Sequence, residues 1–207
     1  MGLRRRVPAC GRPGDSPAGH HDEHRAPAWR RAEDSTVTRP DDDRATLSND
    51  EDGRVRIELR RTLPIGPVDA WTWLTDADRL AEWLPDCRLD PRVGGSIRFD
   101  FGEDLVATGT VLVAEPATDD APDGRYAHTW QWEGIDDSVV TWSVSPDGTG
   151  ATALGLVHDG ADADAATEFA IGWHVMLDAL ALAVDGEDDA VERAWDRLDE
   201  ISDAYGS

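Results

Sequence analysis

Six histidines, two cysteines and nine tryptophans are the side chains in this 207-residue chain that could do chemistry and are scarce enough to be informative. Histidine titrates near neutrality, so His128, His158 and His174 could do acid–base work or hold a metal. Their spacing argues against a metal: it fits no helix-borne ligand pair, and no cysteine stands among them to complete a closed site. The expectation is one buried, hydrogen-bonded histidine with the others exposed. His158, just before Asp159-Gly160, is expected to bond a loop backbone as a strand ends. His20, His21 and His24 fall in a polar N-terminal stretch and read as chance composition. Asp and Glu together number 43, so carboxylate pairs arise at every spacing and none marks a catalytic dyad. GxSxG, P-loop, GxGxxG and HExxH patterns do not occur. Gly94-Gly95 lacks the context of a phosphate loop and reads as a tight turn or bulge leading into a strand. No catalytic residue, metal site or cofactor is assigned.

The tryptophans are the other candidates. Trp71, Trp83, Trp130, Trp132, Trp142 and Trp173 fall on expected inner faces or joints. Core packing explains any one of them; together, wide rings around an interior can line a pocket and orient a ligand's polar end with their N–H groups.

These side chains need elements to position them. Val55, Ile57 and Leu59 alternate with Arg56, Glu58 and Arg60, the pattern of a half-buried strand. After Pro64 and Gly66-Pro67, the spacing of Val68, Trp71 and Leu74 predicts a short helix opened by Pro67. Trp71 and Trp73 point to different sides of it, so one is expected buried and the other more exposed. Asp76 is suited to N-cap a second short helix carrying Leu80, Trp83 and Leu84, which Pro85 ends. Strands follow. Ile97, Phe99 and Phe101 share a face, Val106 to Val113 comes next, and Tyr126 to Trp132 sets His128, Trp130 and Trp132 on one face. Val140, Trp142 and Val144 lead to Thr152, Leu154, Leu156 and His158. Turn chemistry near Asp137 and at Pro146-Asp147-Gly148 predicts hairpins, with Trp132 opposite Trp142. Phe169, Trp173, Met176, Leu177, Leu180 and Val184 form one apolar stripe on a long helix from Thr167 to Val184, stopped by Asp185-Gly186. A last helix, Asp188 to Tyr205, presents Val191, Trp195, Leu198 and Ile201, through which it is expected to dock.

Charge is unevenly placed. Residues 1–50 balance nine Arg with nine Asp and Glu, while residues 51–207 set eleven Arg against 34 carboxylates and carry the whole net charge of −23. Such a surface repels phosphate backbones, so no nucleic acid is expected as a partner. No apolar run approaches the ~20 residues of a membrane span. Two cysteines make no disulfide framework, and a cytoplasmic protein is expected. The start, with its arginines but no apolar run after them, does not read as a secretory signal. Residues 1–52 read as a disordered, dispensable extension, 53–184 as the folded domain, and 185–207 as an additional amphipathic C-terminal helix.

The order IELRRTLPIGPVDAWTWLT, DADRLAEWLPD, VGGSIRFDF, HTWQW, SVVTWSV, TALGLVHDG and GWHVMLDAL resembles the SRPBCC (START/Bet v 1-like) superfamily, in the branch of the activator of Hsp90 ATPase C-terminal domain. The resemblance implies an α+β helix-grip fold: a curved antiparallel sheet of about six strands around the long helix, with two short helices after the first strand. It also implies an apolar cavity between sheet and helix. The expected function is non-enzymatic binding of a small hydrophobic or amphipathic ligand. Phe99, Phe101, Trp130, Trp132, Trp142, Leu154 and Leu156 would line the sheet side, and Phe169, Trp173, Met176, Leu177 and Leu180 the helix side. Alternatives are an enzyme of the polyketide cyclase/aromatase or hydrolase type, and a co-chaperone-like interaction module with a homodimer or protein partner held through the C-terminal helix. A binder is favoured over an enzyme because no catalytic constellation can be named.

Overall fold

A computed structural model describes residues 43–84, 86–102 and 105–206. The N-terminal histidines, Cys10 and Pro85 lie outside them, as does most of the expected extension. Among the described residues, the chain runs β1 (Thr46–Asn49), β2 (Val55–Leu63), α1 (Pro67–Thr75), α2 (Ala77–Trp83), β3 (Cys87–Leu89), β4 (Ser96–Asp100), β5 (Val106–Glu115), β6 (Gly124–Trp132), β7 (Ser138–Pro146), β8 (Thr152–Ala161), α3 (Ala166–Val184), α4 (Ala190–Trp195) and α5 (Leu198–Tyr205). The strands form one antiparallel sheet in the order β1-β2-β8-β7-β6-β5-β4-β3. Bulges between Val55 and Ile57 and between Val111 and Val113 bend β2 and β5, which lets the sheet curve.

The α+β helix-grip architecture stands, with eight strands rather than about six. The two extra strands are short. β1 lies within the stretch expected to be unstructured, and all four of its residues are exposed, so no apolar alternation announces it. A turn joins it to β2, in which the Asp50 carboxylate accepts from the Asp52 and Arg54 N–H groups. β3 has three residues, too few for a period to show.

Pro67 opens α1, and the Asp76 side chain caps α2 by accepting from Asp78 and Arg79. The buried face of α1 is Ala70, Trp73 and Leu74; Val68 is exposed and Trp71 half-buried, which corrects the expected stripe. Gly94 has φ +82, and a Cβ on Gly95 would collide with the Asp90 and Arg92 carbonyls, so this pair needs glycine for the tight approach into β4.

The β6–β7 hairpin turns around Gly134, at φ +79, not near Asp137. Trp142 is therefore opposite Tyr126, and Trp130 opposite Ser138, which corrects the expected Trp132–Trp142 pair.

The helix α3 is long and apolar enough, by length and composition alone, to cross a membrane, although Glu168 and Asp178 interrupt its apolar run. More than half of it is buried inside the fold, where it is the gripped helix. Sheet, α2, α4 and α5 all pack against it. The expected single last helix is two, α4 and α5, broken at Asp196-Arg197. They dock through Ala190, Ala194 and Ile201, with Leu198 packed on the same core, whereas Val191 is half-buried and Trp195 is 37% exposed, which corrects those two members of the expected stripe.

A polar clasp ties the segment just before β1 and the C-terminal helix α5 to α3. Arg61 donates to the Asp178 carboxylate at 3.1 Å and to the Asp43 carbonyl at 2.8 Å. Arg197, just before α5, donates to the other Asp178 oxygen at 2.7 Å. The Tyr205 hydroxyl accepts from the Ala45 N–H at 2.7 Å and lies 3.1 Å from His174 Nδ1.

Candidate ligand-binding site

Every second residue of β6, namely Tyr126, His128, Trp130 and Trp132, points to the concave face of the sheet, as strand geometry requires. Phe99 on β4, Phe101 just past its end, Trp142 on β7 and His158 on β8 extend this wall. From α3, Trp173 and Phe169 meet it. The Trp173 ring centroid lies 5.0 Å from Trp130, 5.7 Å from Trp142 and 6.2 Å from Phe99. Phe169 lies 5.2 Å from His158 and 6.0 Å from Trp130. Sheet and helix are thus in ring-to-ring contact along this face.

All of the expected lining residues belong to, or pack on, one core. Phe99, Trp130, Trp142, Leu154, Leu156, Trp173, Met176, Leu177 and Leu180 are buried. Phe101, Trp132 and Phe169 are half-buried and adjacent, with Trp132 5.7 Å from Phe101 and 6.1 Å from Phe169. These three make a partly exposed aromatic rim above the buried rings. At the other end of β6, Tyr126 is capped by Trp71, and Trp142 by Trp83, whose indole N–H donates to the Trp73 carbonyl. Burial pushes the nearby Cys87 thiol up to about 12, so it is an inert packing group.

The histidines depart most from expectation: all three are buried. The Trp173 indole N–H donates to His158 Nδ1 at 3.1 Å. An indole nitrogen can only donate, so Nδ1 is bare and Nε2 carries the proton. Nε2–H then donates to Ser138 Oγ at 2.7 Å. This corrects the expected bond to a loop backbone. It also means that His158 cannot take a proton from Ser138: the pair has the spacing of a nucleophile and base but the opposite tautomer. Burial first, and then the neighbouring His128, depress the His158 pKa to about 3.

His128 is held in the other sense. Its Nδ1 lies 2.9 Å from the Thr129 carbonyl, an acceptor only, so Nδ1–H donates and Nε2 is a bare acceptor. Burial holds its pKa down at about 4, against the weaker opposing effect of the Thr129 bond. His174 lies apart, in the polar clasp, and is lowered to about 4 by burial and then by Arg61.

Three polar atoms on the concave wall have no protein partner: His128 Nε2, Trp130 Nε1 and Trp142 Nε1. Well-formed cores satisfy nearly all such atoms. Strand alternation places His128 on the same face as Trp130 and Trp132, and that periodicity is the signal in the sequence for its burial on this wall.

An antiparallel sheet gripping a long helix over an aromatic interior defines a START/Bet v 1-like protein. The family model for the activator of Hsp90 ATPase homolog 1-like protein matches residues 66–185, and the chain belongs to that family. Among solved structures, CalU16 from Micromonospora echinospora is 24% identical, with a TM-score of 0.60 over 78% of this chain and 93% of its own. The protein encoded by gene BPP1335 of Bordetella parapertussis is 27% identical, with a TM-score of 0.56 over 73% of this chain and 85% of its own. The Aha1 dimer of Colwellia psychrerythraea is 18% identical, with a TM-score of 0.52 over 64% of this chain and 97% of its own. A search of the curated proteins finds no match. These likenesses establish the fold; β1, β2, α4 and α5 fall outside the span that the family model matches.

Proposed function

We propose that the protein binds a small, largely apolar molecule between the concave wall of the sheet and α3, without transforming it. The observation that carries this reading is the set of three buried, unpartnered nitrogens on an aromatic wall. Each left unbonded costs about 1–3 kcal/mol, and a ligand acceptor at an indole N–H or a ligand donor at His128 Nε2 recovers that cost. The half-buried rim of Phe101, Trp132 and Phe169 is an apolar approach to them. Binding without catalysis is supported by the two histidines on the wall. Burial holds both well below the ordinary histidine value, so neither is poised near physiological pH for proton transfer.

The test is titration with N-phenyl-1-naphthylamine, an uncharged fluorescent probe. Saturable enhancement of its emission with quenching of tryptophan is expected. Leu156→Trp and Leu177→Trp, which fill the interior, should abolish uptake while near-ultraviolet circular dichroism persists. A parent protein that takes up no probe contradicts the reading. An interaction module is the second reading, favoured by the exposed indole of Trp195 on α4. It predicts association in sedimentation that Trp195→Ala removes.

A further inference from the structure

Among the described residues, β1 is a terminal strand of the sheet and its outer edge is open. Where β1 turns into β2, the Asp50 N–H donates to the Arg54 carbonyl at 2.9 Å. Counting back along an antiparallel ladder, Ser48 and Thr46 direct their N–H and C=O groups to β2, while Asn49, Leu47 and Ala45 direct theirs outward. Ala45 conforms: its N–H donates to the Tyr205 hydroxyl, which bounds the open edge on that side. The outward N–H groups of Leu47 and Asn49 meet no partner among the described residues.

An open edge is a template for a further strand, and proteins commonly guard it with charge, proline or a very short strand. The opposite edge is guarded in this way, since β3 has three residues and an exposed Arg88 at its centre. β1 is not guarded. Thr46, Leu47, Ser48 and Asn49 are all exposed and all uncharged, in a chain of which 30% is charged. The charges stand at its two ends. Arg44, before the strand, lies over the Tyr205 ring and forms no ion pair among the described residues. The carboxylates of Glu51 and Asp52, in the turn after it, are exposed and form none either. A positive end, a neutral middle and a negative end complement themselves when two copies run antiparallel, as a two-fold interface requires. A uniformly basic segment would instead be repelled by Arg44, and a uniformly acidic one by the turn.

We propose that β1 pairs antiparallel with β1 of a second copy about a two-fold axis at Ser48, joining two eight-stranded sheets edge to edge. Leu47 of each copy exchanges N–H···O bonds with Asn49 of the other, and Ser48 faces Ser48. Arg44 comes beside the Asp50-Glu51-Asp52 turn of the other copy. Leu47, 39% exposed and on the same face as the buried Ile57, reaches its counterpart across the diagonal. Shifting one strand by a single residue would set outward groups against inward ones, and a two-fold at Leu47 would need the Ala45 N–H that Tyr205 holds. The interface is small, so the association is weak and reversible. Salt at 0.15 M confines the repulsion between two chains of net charge −23 to about 8 Å. The pairing is independent of what the interior binds.

Sedimentation velocity of the full chain in 0.15 M NaCl, from about 5 to 300 µM, should show monomer passing to dimer as concentration rises. Leu47→Pro removes one outward N–H and no bond to β2, a place where an edge strand tolerates proline. It should weaken the association roughly tenfold or more with far-ultraviolet circular dichroism unchanged, whereas Trp195→Ala should leave it unaltered. Cysteine cross-linking reads the register in a Cys10→Ser background, with the packed Cys87 thiol unreactive. Facing Ser48 residues lie about 4.5 Å apart between Cα atoms, within disulfide range, while Thr46 and its counterpart are displaced by about 13 Å. Under oxidised glutathione, Ser48→Cys should therefore form a covalent dimer at least about tenfold faster than Thr46→Cys. A monomer at every concentration, or an association that Trp195→Ala removes and Leu47→Pro does not, overturns the proposal. So does a Thr46→Cys variant that cross-links as fast as Ser48→Cys. The two cysteine variants decide the matter even if Leu47→Pro does not fold.

Discussion

The buried histidines make stability depend on pH in a calculable way. In the unfolded chain each titrates near its ordinary value of about 6.5. In the fold His128 titrates near 4 and His158 near 3, chiefly because burial disfavours the imidazolium. The folded state therefore binds fewer protons than the unfolded state between these values. Stability from this source is complete above the unfolded pKa and is lost as pH falls below it. At pH 5 the unfolded chain gains about 2 kcal/mol for each of the two groups, or roughly 4 kcal/mol together, against a typical total of about 5–15 kcal/mol. The acidic surface works the other way, because lowering pH relieves repulsion in a chain of net charge −23. A difference measurement removes that background. Urea denaturation of the parent and of His128→Phe at pH 7.5, 6.5, 5.5 and 5.0 should give two curves that converge as pH falls. The variant should gain about 2 kcal/mol relative to the parent between pH 7.5 and 5.0. Parallel curves would refute the burial of a neutral His128, and with it the acceptor role of Nε2.

Three further outcomes follow from the packing. Asp178→Ala strands the buried Arg61 guanidinium and should cost about 3–5 kcal/mol in urea denaturation. The double variant Arg61→Met/Asp178→Leu should cost much less than that single one, because it removes both charges at once. Gly95→Ala drives a methyl group into the Asp90 and Arg92 carbonyls and should cost about 1–3 kcal/mol, with binding of the naphthylamine probe unchanged in the folded fraction. Trp195→Ala should cost about 1–2 kcal/mol by the same assay, less than the ~3–5 kcal/mol of a fully buried ring, since the side chain is 37% exposed.

The sequence carried those features that repeat. Alternation along Val55–Leu63 and Tyr126–Trp132, and the stripe from Phe169 to Val184, announced strands and gripped helix because their apolar faces are long enough to show a period. β1 and β3 were hidden because a strand of three or four residues, exposed or half-exposed, shows no period at all. The break at Asp196-Arg197 was hidden for a different reason. Arg197 leaves the helical path there to reach Asp178, a partner nineteen residues away that no local pattern reveals. Hairpin register failed on one residue, since Gly134 at positive φ sets the turn that Asp137 was expected to centre. At the site, alternation placed His128 and His158 on the same faces as the apolar wall residues, but it did not show the hydrogen bonds that set their roles. Whether a buried histidine is a donor or an acceptor depends on Thr129 in one case and Trp173 in the other, contacts that exist only in the fold.

The central claim is that a small, largely apolar molecule binds between the sheet and α3, against Trp130 and Trp142. Indole 15N-tryptophan labelling with two-dimensional NMR observes those N–H groups directly, with Trp130→Phe and Trp142→Phe supplying the assignments. On addition of N-phenyl-1-naphthylamine, the Trp130 and Trp142 indole resonances should shift and saturate together, while that of the exposed Trp195 stays in place. Shifts confined to Trp195, or saturating shifts that leave Trp130 and Trp142 unmoved, would contradict the account.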